Sequence, residues 1–270
     1  MAEIRHCWIA GTLLPARPAG EVGPQQEFLD APGPYTTARI EDGRAVWAEA
    51  HFRRLLADTR ALALPRPAPE QLTEAFEALG RAEFGSGSGI VRVKACSNDS
   101  GELVLVAEAR ALGADPAAWR AGIAPFPHPG PGAHPGAKLD PVPEFERARA
   151  LCRGKGLDEL LFFDQRGCLV EGARSSLVVV SAEGSLRTPA PELGGVASIA
   201  LARVLARSPL PILSDKALHR ETLTEAREII ALNAARGARP IYELDGAPVG
   251  EAEAGPIARI LRECLEDRAE

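Results

Sequence analysis

At 270 residues, 46% of them hydrophobic, the chain can bury a sizeable core, as one large domain or as two of moderate size. A formal net charge of -6 argues against a nucleic-acid scaffold, which carries a basic balance, and points to a small molecule as partner. No run of 18 apolar residues exists, and the opening Met1-Ala2-Glu3-Ile4-Arg5-His6 lacks the basic and then apolar pattern of a secretory leader; no membrane span and no export are expected, and the cytoplasm is the expected compartment.

Taken in chain order, Glu27-Phe28-Leu29 and Ala38-Arg39-Ile40 read as extended. Apolar residues at helical spacing predict a helix over His51 to Leu64, stopped by Pro65, and a second over Pro67 to Gly80 carried by Leu72, Phe76 and Leu79. Gly89 to Ala95 and Leu103 to Ala107 read as strands paired across the turn Asn98-Asp99-Ser100-Gly101, so the first part is an α+β unit. Pro125, Pro127, Pro129, Pro131 and Pro135 crowd the stretch from Gly113 to Gly136, where regular structure is not expected. The predicted organisation is therefore a small domain over 1–112, a linker over 113–136 and a larger domain over 137–270.

Beyond the linker, Lys138 is expected on the approach to a helix over Glu144 to Gly154. Leu160 to Phe163 and Leu177 to Val180 read as buried strands, with Gly167 turning between hairpin arms. Ala197 to Ala206 and Leu223 to Glu228 read as helices. The apolar strand Ile229 to Leu232 then runs into the polar loop Asn233 to Gly237, a natural ligand position. A closing hairpin over Tyr242 to Val249 turns at Asp245-Gly246. Cys7, Cys96, Cys152, Cys168 and Cys264 are scattered without a C-x-x-C pair, so reduced thiols are expected and no metal site.

Of 31 basic residues only Lys94, Lys138, Lys155 and Lys216 are lysines. Lys138 stands out through its downstream sequence: Asp158-Glu159-Leu160-Leu161 twenty residues on, then Val170-Glu171-Gly172. A lysine amine can bond an aldehyde cofactor, and a carboxylate on a following strand can keep a pyridine nitrogen protonated; pyridoxal chemistry needs both.

The segment Pro34-Tyr35-Thr36-Thr37-Ala38-Arg39-Ile40-Glu41-Asp42-Gly43, followed by His51-Phe52-Arg53-Arg54-Leu55, resembles the amino-terminal signature of the class IV (fold type IV) aminotransferase family. The likeness is nearest to its aminodeoxychorismate lyase branch, and it continues through Lys138, Asp158-Glu159, Glu171-Gly172, Thr188-Pro189, Asn233-Ala234, Pro240-Ile241 and Asp245-Gly246. It implies an α/β (α+β) fold: a small N-terminal α+β domain and a larger C-terminal pseudo-barrel α/β domain of the D-amino acid aminotransferase-like type. The implied cofactor is pyridoxal 5'-phosphate and the implied assembly a homodimer, with no nucleic-acid or membrane partner.

By the same resemblance Lys138 would hold the cofactor and move the proton beside the substrate nitrogen. Thr37 would assist catalysis and Tyr35 would face the substrate. Glu171 would pair with the ring nitrogen, while Arg54, Ser198-Ile199 and Asn233-Ala234 would bind the phosphate. The expected reaction is conversion of 4-amino-4-deoxychorismate to 4-aminobenzoate and pyruvate. The alternatives are a transaminase of branched-chain or D-amino acids, and a dimeric protein that keeps the fold without the chemistry. Two stretches depart from the family pattern: Leu139-Asp140-Pro141-Val142-Pro143 after the lysine, and Val196-Ala197-Ser198-Ile199-Ala200-Leu201 at the helix start.

Overall fold

Strands with alternating burial and helices with one apolar stripe account for the first of two compact units. The computed structural model describes residues 6–15, 24–250 and 255–266. In the first unit β1 (His6–Ile9) and β2 (Thr12–Pro15) form a hairpin, followed by α1 (Pro24–Asp30) and β3 (Gly33–Glu41). Then come β4 (Arg44–Ala45), α2 (Ala48–Ala61), α3 (Pro69–Phe84), β5 (Ser88–Ser97) and β6 (Leu103–Ala111). After β7 (Trp119–Ile123), which belongs to the second unit, the chain returns to the first at Ala137–Pro141, where β8 (Leu139–Asp140) pairs with β3. The sheet is antiparallel in the order β2-β1-β6-β5-β3-β4.

Its larger core lies on one face. Ala38, Ile40, Val91 and Val93 point toward Phe52 and Leu55 of α2 and Leu72, Phe76 and Leu79 of α3, all buried. The two-residue period of a strand then puts Tyr35, Thr37, Arg92 and Lys94 on the opposite face. Register confirms the set, since Tyr35 lies opposite Lys94 and Thr37 opposite Arg92.

The second unit holds α4 (Pro143–Lys155), β9 (Glu159–Phe163), β10 (Leu169–Gly172), β11 (Ser176–Val180), β12 (Leu186–Pro189) and a 3-10 turn at Pro191–Leu193. It continues with α5 (Ile199–Arg207), β13 (Ile212–Asp215), α6 (Arg220–Thr224), β14 (Glu228–Asn233), β15 (Gly237–Leu244), β16 (Ala247–Pro248) and α7 (Pro256–Glu266). Its sheet runs β10-β9-β7-β15-β14-β11-β12-β13, with β16 on β15. The pairings β7–β9, β7–β15 and β12–β13 are parallel and the rest antiparallel, so the sheet is mixed. β11 is buried along its whole length, which explains its unbroken apolar run Leu177-Val178-Val179-Val180. Among the described residues no helix is long and apolar enough to cross a membrane.

Five expectations differ from the structure, the first being the helix over Leu223 to Glu228: α6 spans Arg220–Thr224, and Glu228 already opens β14. Glu27-Phe28-Leu29 is helical, within α1, because Phe28 and Leu29 pack together against Cys96, Val104 and Val106. The stretch expected as linker contains β7, whose residues precede the prolines and whose Trp119 and Ala121 enter the core beside Leu161 and Ile241. Lys138 leads into β8 on the first unit's sheet rather than directly into a helix. Finally, α7 occupies a segment for which the sequence predicts no element.

Candidate active site

Lys138 is placed by its backbone. Its carbonyl accepts from the Tyr35 N–H at 2.9 Å and its own N–H donates to Asp58 Oδ2 at 3.2 Å, so β3 and α2 both hold it. Its Nζ lies 4.8 Å from the Tyr35 ring centroid, and Arg92 Cζ lies 4.0 Å from the same centroid. Arg92 Nη2 is 2.5 Å from Asp140 Oδ2, and Lys94 Nζ is 3.9 Å from that oxygen while donating to the Leu29 carbonyl. One sheet face of the first unit thus gathers an amine, a guanidinium, a second amine, a carboxylate and the rings and hydroxyls of Tyr35 and Thr37.

Behind Lys138, α2 brings up Arg54 and, one turn later, Asp58. Burial pushes the Asp58 carboxyl up, against the Lys138 amide and the positive charges of Arg54 and Lys138, which pull it down. His51, at the start of the same helix, is fully buried; its Nδ1 is 2.5 Å from Thr36 Oγ1 and its Nε2 has no hydrogen-bond partner. Burial first, then the charges of Arg54 and Lys138, lower its pKa to about 3, so the ring is neutral.

In the second unit Glu171 lies one residue before the end of β10 with its side chain 6% exposed. The Val196 N–H donates to both carboxylate oxygens, at 3.2 and 3.1 Å, and His128 Nε2 lies 3.1 Å from Oε1. Ser198 is the N-cap of α5, its Oγ accepting from the Leu201 N–H at 3.2 Å, and Ile199 is the buried first residue of that helix. Asn233 closes β14 and spends its Oδ1 on the amides of Ala235 (3.1 Å) and Arg236 (2.8 Å), which shapes the loop that contains Ala234. Capped helix starts and tight loops present backbone N–H groups, the usual donors to a phosphate.

Lys138, Tyr35, Thr37 and Arg54 therefore lie in the first unit, and Glu171, Ser198, Ile199, Asn233 and Ala234 in the second. Sequence reasoning missed Arg92, Lys94, Asp58, Asp140 and His128. Arg92-x-Lys94 occupies alternate positions of β5 opposite Thr37 and Tyr35. That alternation was the available signal. Lys138-x-Asp140 repeats it along the approach to β8.

The chain belongs to the amino-transferase class IV family, whose model matches residues 33–244. Among solved structures, the branched-chain aminotransferase of Thermoproteus uzoniensis, determined with norvaline, superposes with a TM-score of 0.80 at 21% identity, covering 97% of this chain and 93% of that one. The branched-chain aminotransferase of Escherichia coli gives 0.78 at 19%, covering 97% and 93%. A hypothetical aminotransferase from Mycobacterium tuberculosis in its pyridoxal phosphate-bound form gives 0.78 at 21%, covering 97% of each. These likenesses establish the mixed α+β fold. The curated relative, a probable branched-chain-amino-acid aminotransferase of Aquifex aeolicus, is 26% identical over 111 residues; the match spans 40% of this chain and 35% of that protein's length.

Proposed function

We propose that the protein is a pyridoxal phosphate-dependent aminotransferase that takes its amino group from a small amino acid, with branched-chain amino acids as the favoured donors. The observation that carries this reading is the placement of Lys138 Nζ 4.8 Å from the Tyr35 ring centroid, on a sheet face that also carries Arg92 and Lys94: a base for the proton beside nitrogen, set in a cationic surface. Several of the proteins this chain resembles are named as branched-chain aminotransferases, so the weight moves from the lyase expected from sequence to transamination.

The residues present fit the cofactor. Lys138 would hold its aldehyde carbon, the buried Glu171 carboxylate its ring nitrogen, and Arg54 with the capped start of α5 its phosphate. When bound, the cofactor supplies an electron sink for charge developing beside the nitrogen. Lys138 would take up and return the proton beside the nitrogen, Glu171 would keep the ring nitrogen charged, and Tyr35 with Thr37 would line the sheet face beside Lys138. A cytoplasmic homodimer is the working form under this reading.

Single-turnover spectra of the cofactor-loaded protein test it. Leucine, isoleucine or valine should convert the bound cofactor to its aminated form, and borohydride trapping with peptide mapping should label Lys138. Release of 4-aminobenzoate and pyruvate from 4-amino-4-deoxychorismate, with no response to any amino acid, would restore the lyase. Labelling at Lys94, Lys155 or Lys216 with Lys138 free would overturn the site.

A further inference from the structure

Arg92 already has a carboxylate. Its guanidinium crosses the Tyr35 ring and places Nη2 2.5 Å from Asp140 Oδ2, in side chains only 23% and 15% exposed. Lys94 approaches the same oxygen at 3.9 Å from a side chain 4% exposed. Asp140 thus stands as counter-ion to two cations at once, beside the guanidinium that an acid group on a ligand would approach; the contact is an ion pair, since Arg92 Nε and Nη2 have no hydrogen-bond partner. It can do so because β8 pairs Asp140 with Gly33, which puts it two residues along the face from Tyr35 and two residues from Lys138. The other acidic group in that row, Glu108 on β6, lies opposite Arg92 and is exposed.

We propose that Asp140 is a specificity-determining residue: its carboxylate occupies Arg92 in place of a substrate acid group, and so disfavours amino donors that bring a second carboxylate relative to donors with an apolar side chain. The inference rests on the aminotransferase reading. A dicarboxylate reaching this face must displace Asp140 from Arg92 or stand beside a like charge, and either is unfavourable. An apolar side chain makes neither demand.

Glutarate, which carries two carboxylates and no amine and therefore cannot react, is the probe, with binding to the cofactor-loaded protein followed by calorimetry. Asp140→Asn should tighten glutarate binding roughly tenfold, the scale of one partly buried counter-ion removed. The gain should vanish in the double variant Asp140→Asn/Arg92→Gln. In steady state the ratio of kcat/KM for glutamate to that for leucine should rise by a similar factor. Equal glutarate affinity in wild type and Asp140→Asn, or a gain that survives loss of Arg92, overturns the proposal. Asp140→Ser serves as a second variant; if neither folds, Asp140 is a structural counter-ion and the proposal falls. Should no amino acid aminate the cofactor while glutarate still follows the predicted pattern, the Asp140–Arg92 assignment stands and the reaction class is what fails.

Discussion

Glu171 is held from two directions, and the tautomer of His128 can be read from its partners. The Gly130 N–H donates to His128 Nδ1 at 3.0 Å, so the neutral ring carries its proton on Nε2 and donates it to Glu171 Oε1. The ring is fixed edge-on between Phe145 and Phe162, with centroids 5.6 and 5.7 Å away. His128→Phe keeps an aromatic in that slot and removes the donor. It should lower stability by about 1.5 to 3 kcal/mol, the worth of a hydrogen bond to a charged group, as read from urea unfolding. In a double-mutant cycle with Glu171→Gln the two losses should fail to add. Glu171→Gln by itself should keep the cofactor and lose most turnover. Additive losses would show that the two side chains do not act together.

At the scale of elements, the link from β12 through the 3-10 turn to α5 decides where the Val196 amide points. Gly194 makes it possible: its φ of +102° belongs to glycine, and a Cβ there would lie 2.4 Å from the Pro131 nitrogen. Gly194→Ala should cost about 1 to 3 kcal/mol of backbone strain, seen in thermal unfolding. It should also weaken cofactor affinity, because Val196 would be displaced from Glu171. Gly154→Ala in the last turns of α4 is the control; nothing lies within 4 Å of a Cβ there, and a gain of about 0.4 to 1 kcal/mol is expected. An equal loss in both variants would remove the special role of the Gly194 turn. The hairpins belong to the same scale: Asp245 and Gly246 both have positive φ, as the Asp-Gly pair between β15 and β16 requires.

For the whole molecule, each unit contains a buried group that ties stability strongly to pH. In the first, His51 has a folded pKa of about 3 against an ordinary 6.5. The neutral ring therefore contributes fully above pH 6.5, and the contribution is lost as pH falls from there toward 3, at about 1.4 kcal/mol per pH unit. In the second, burial raises Glu159 to about 7 from 4.5, despite hydrogen bonds from Ser175 Oγ at 2.6 Å and from the Leu160 and Arg174 amides. Its folded form favours the proton, so that contribution is present below pH 4.5 and lost as pH rises through 7. Urea unfolding across pH should show both slopes. Glu159→Gln should remove the part of the decline that runs up to pH 7 and leave the acid limb unchanged, with the buried Asp58 carboxyl adding a smaller decline of its own. A decline that persists undiminished in the variant would mean that another group titrates there.

Element lengths and residue chemistry, both local, were enough to determine much of this protein from sequence. The helix after His51, the β5–β6 hairpin and the buried run of β11 follow from periodicity and turn residues within a few positions of each other. Lys138 and Glu171 could be singled out as candidates because the motifs around them resemble those of the class IV family. Which residues surround them could not be read in that way. Arg92 meets Tyr35 and Asp140 through strand register, and Asp58 reaches the Lys138 amide across 80 positions. His128 reaches Glu171 through a loop whose prolines suggest only irregular chain. Such contacts depend on how distant segments are packed, and a side chain's period or propensity carries no record of its partner across the sheet.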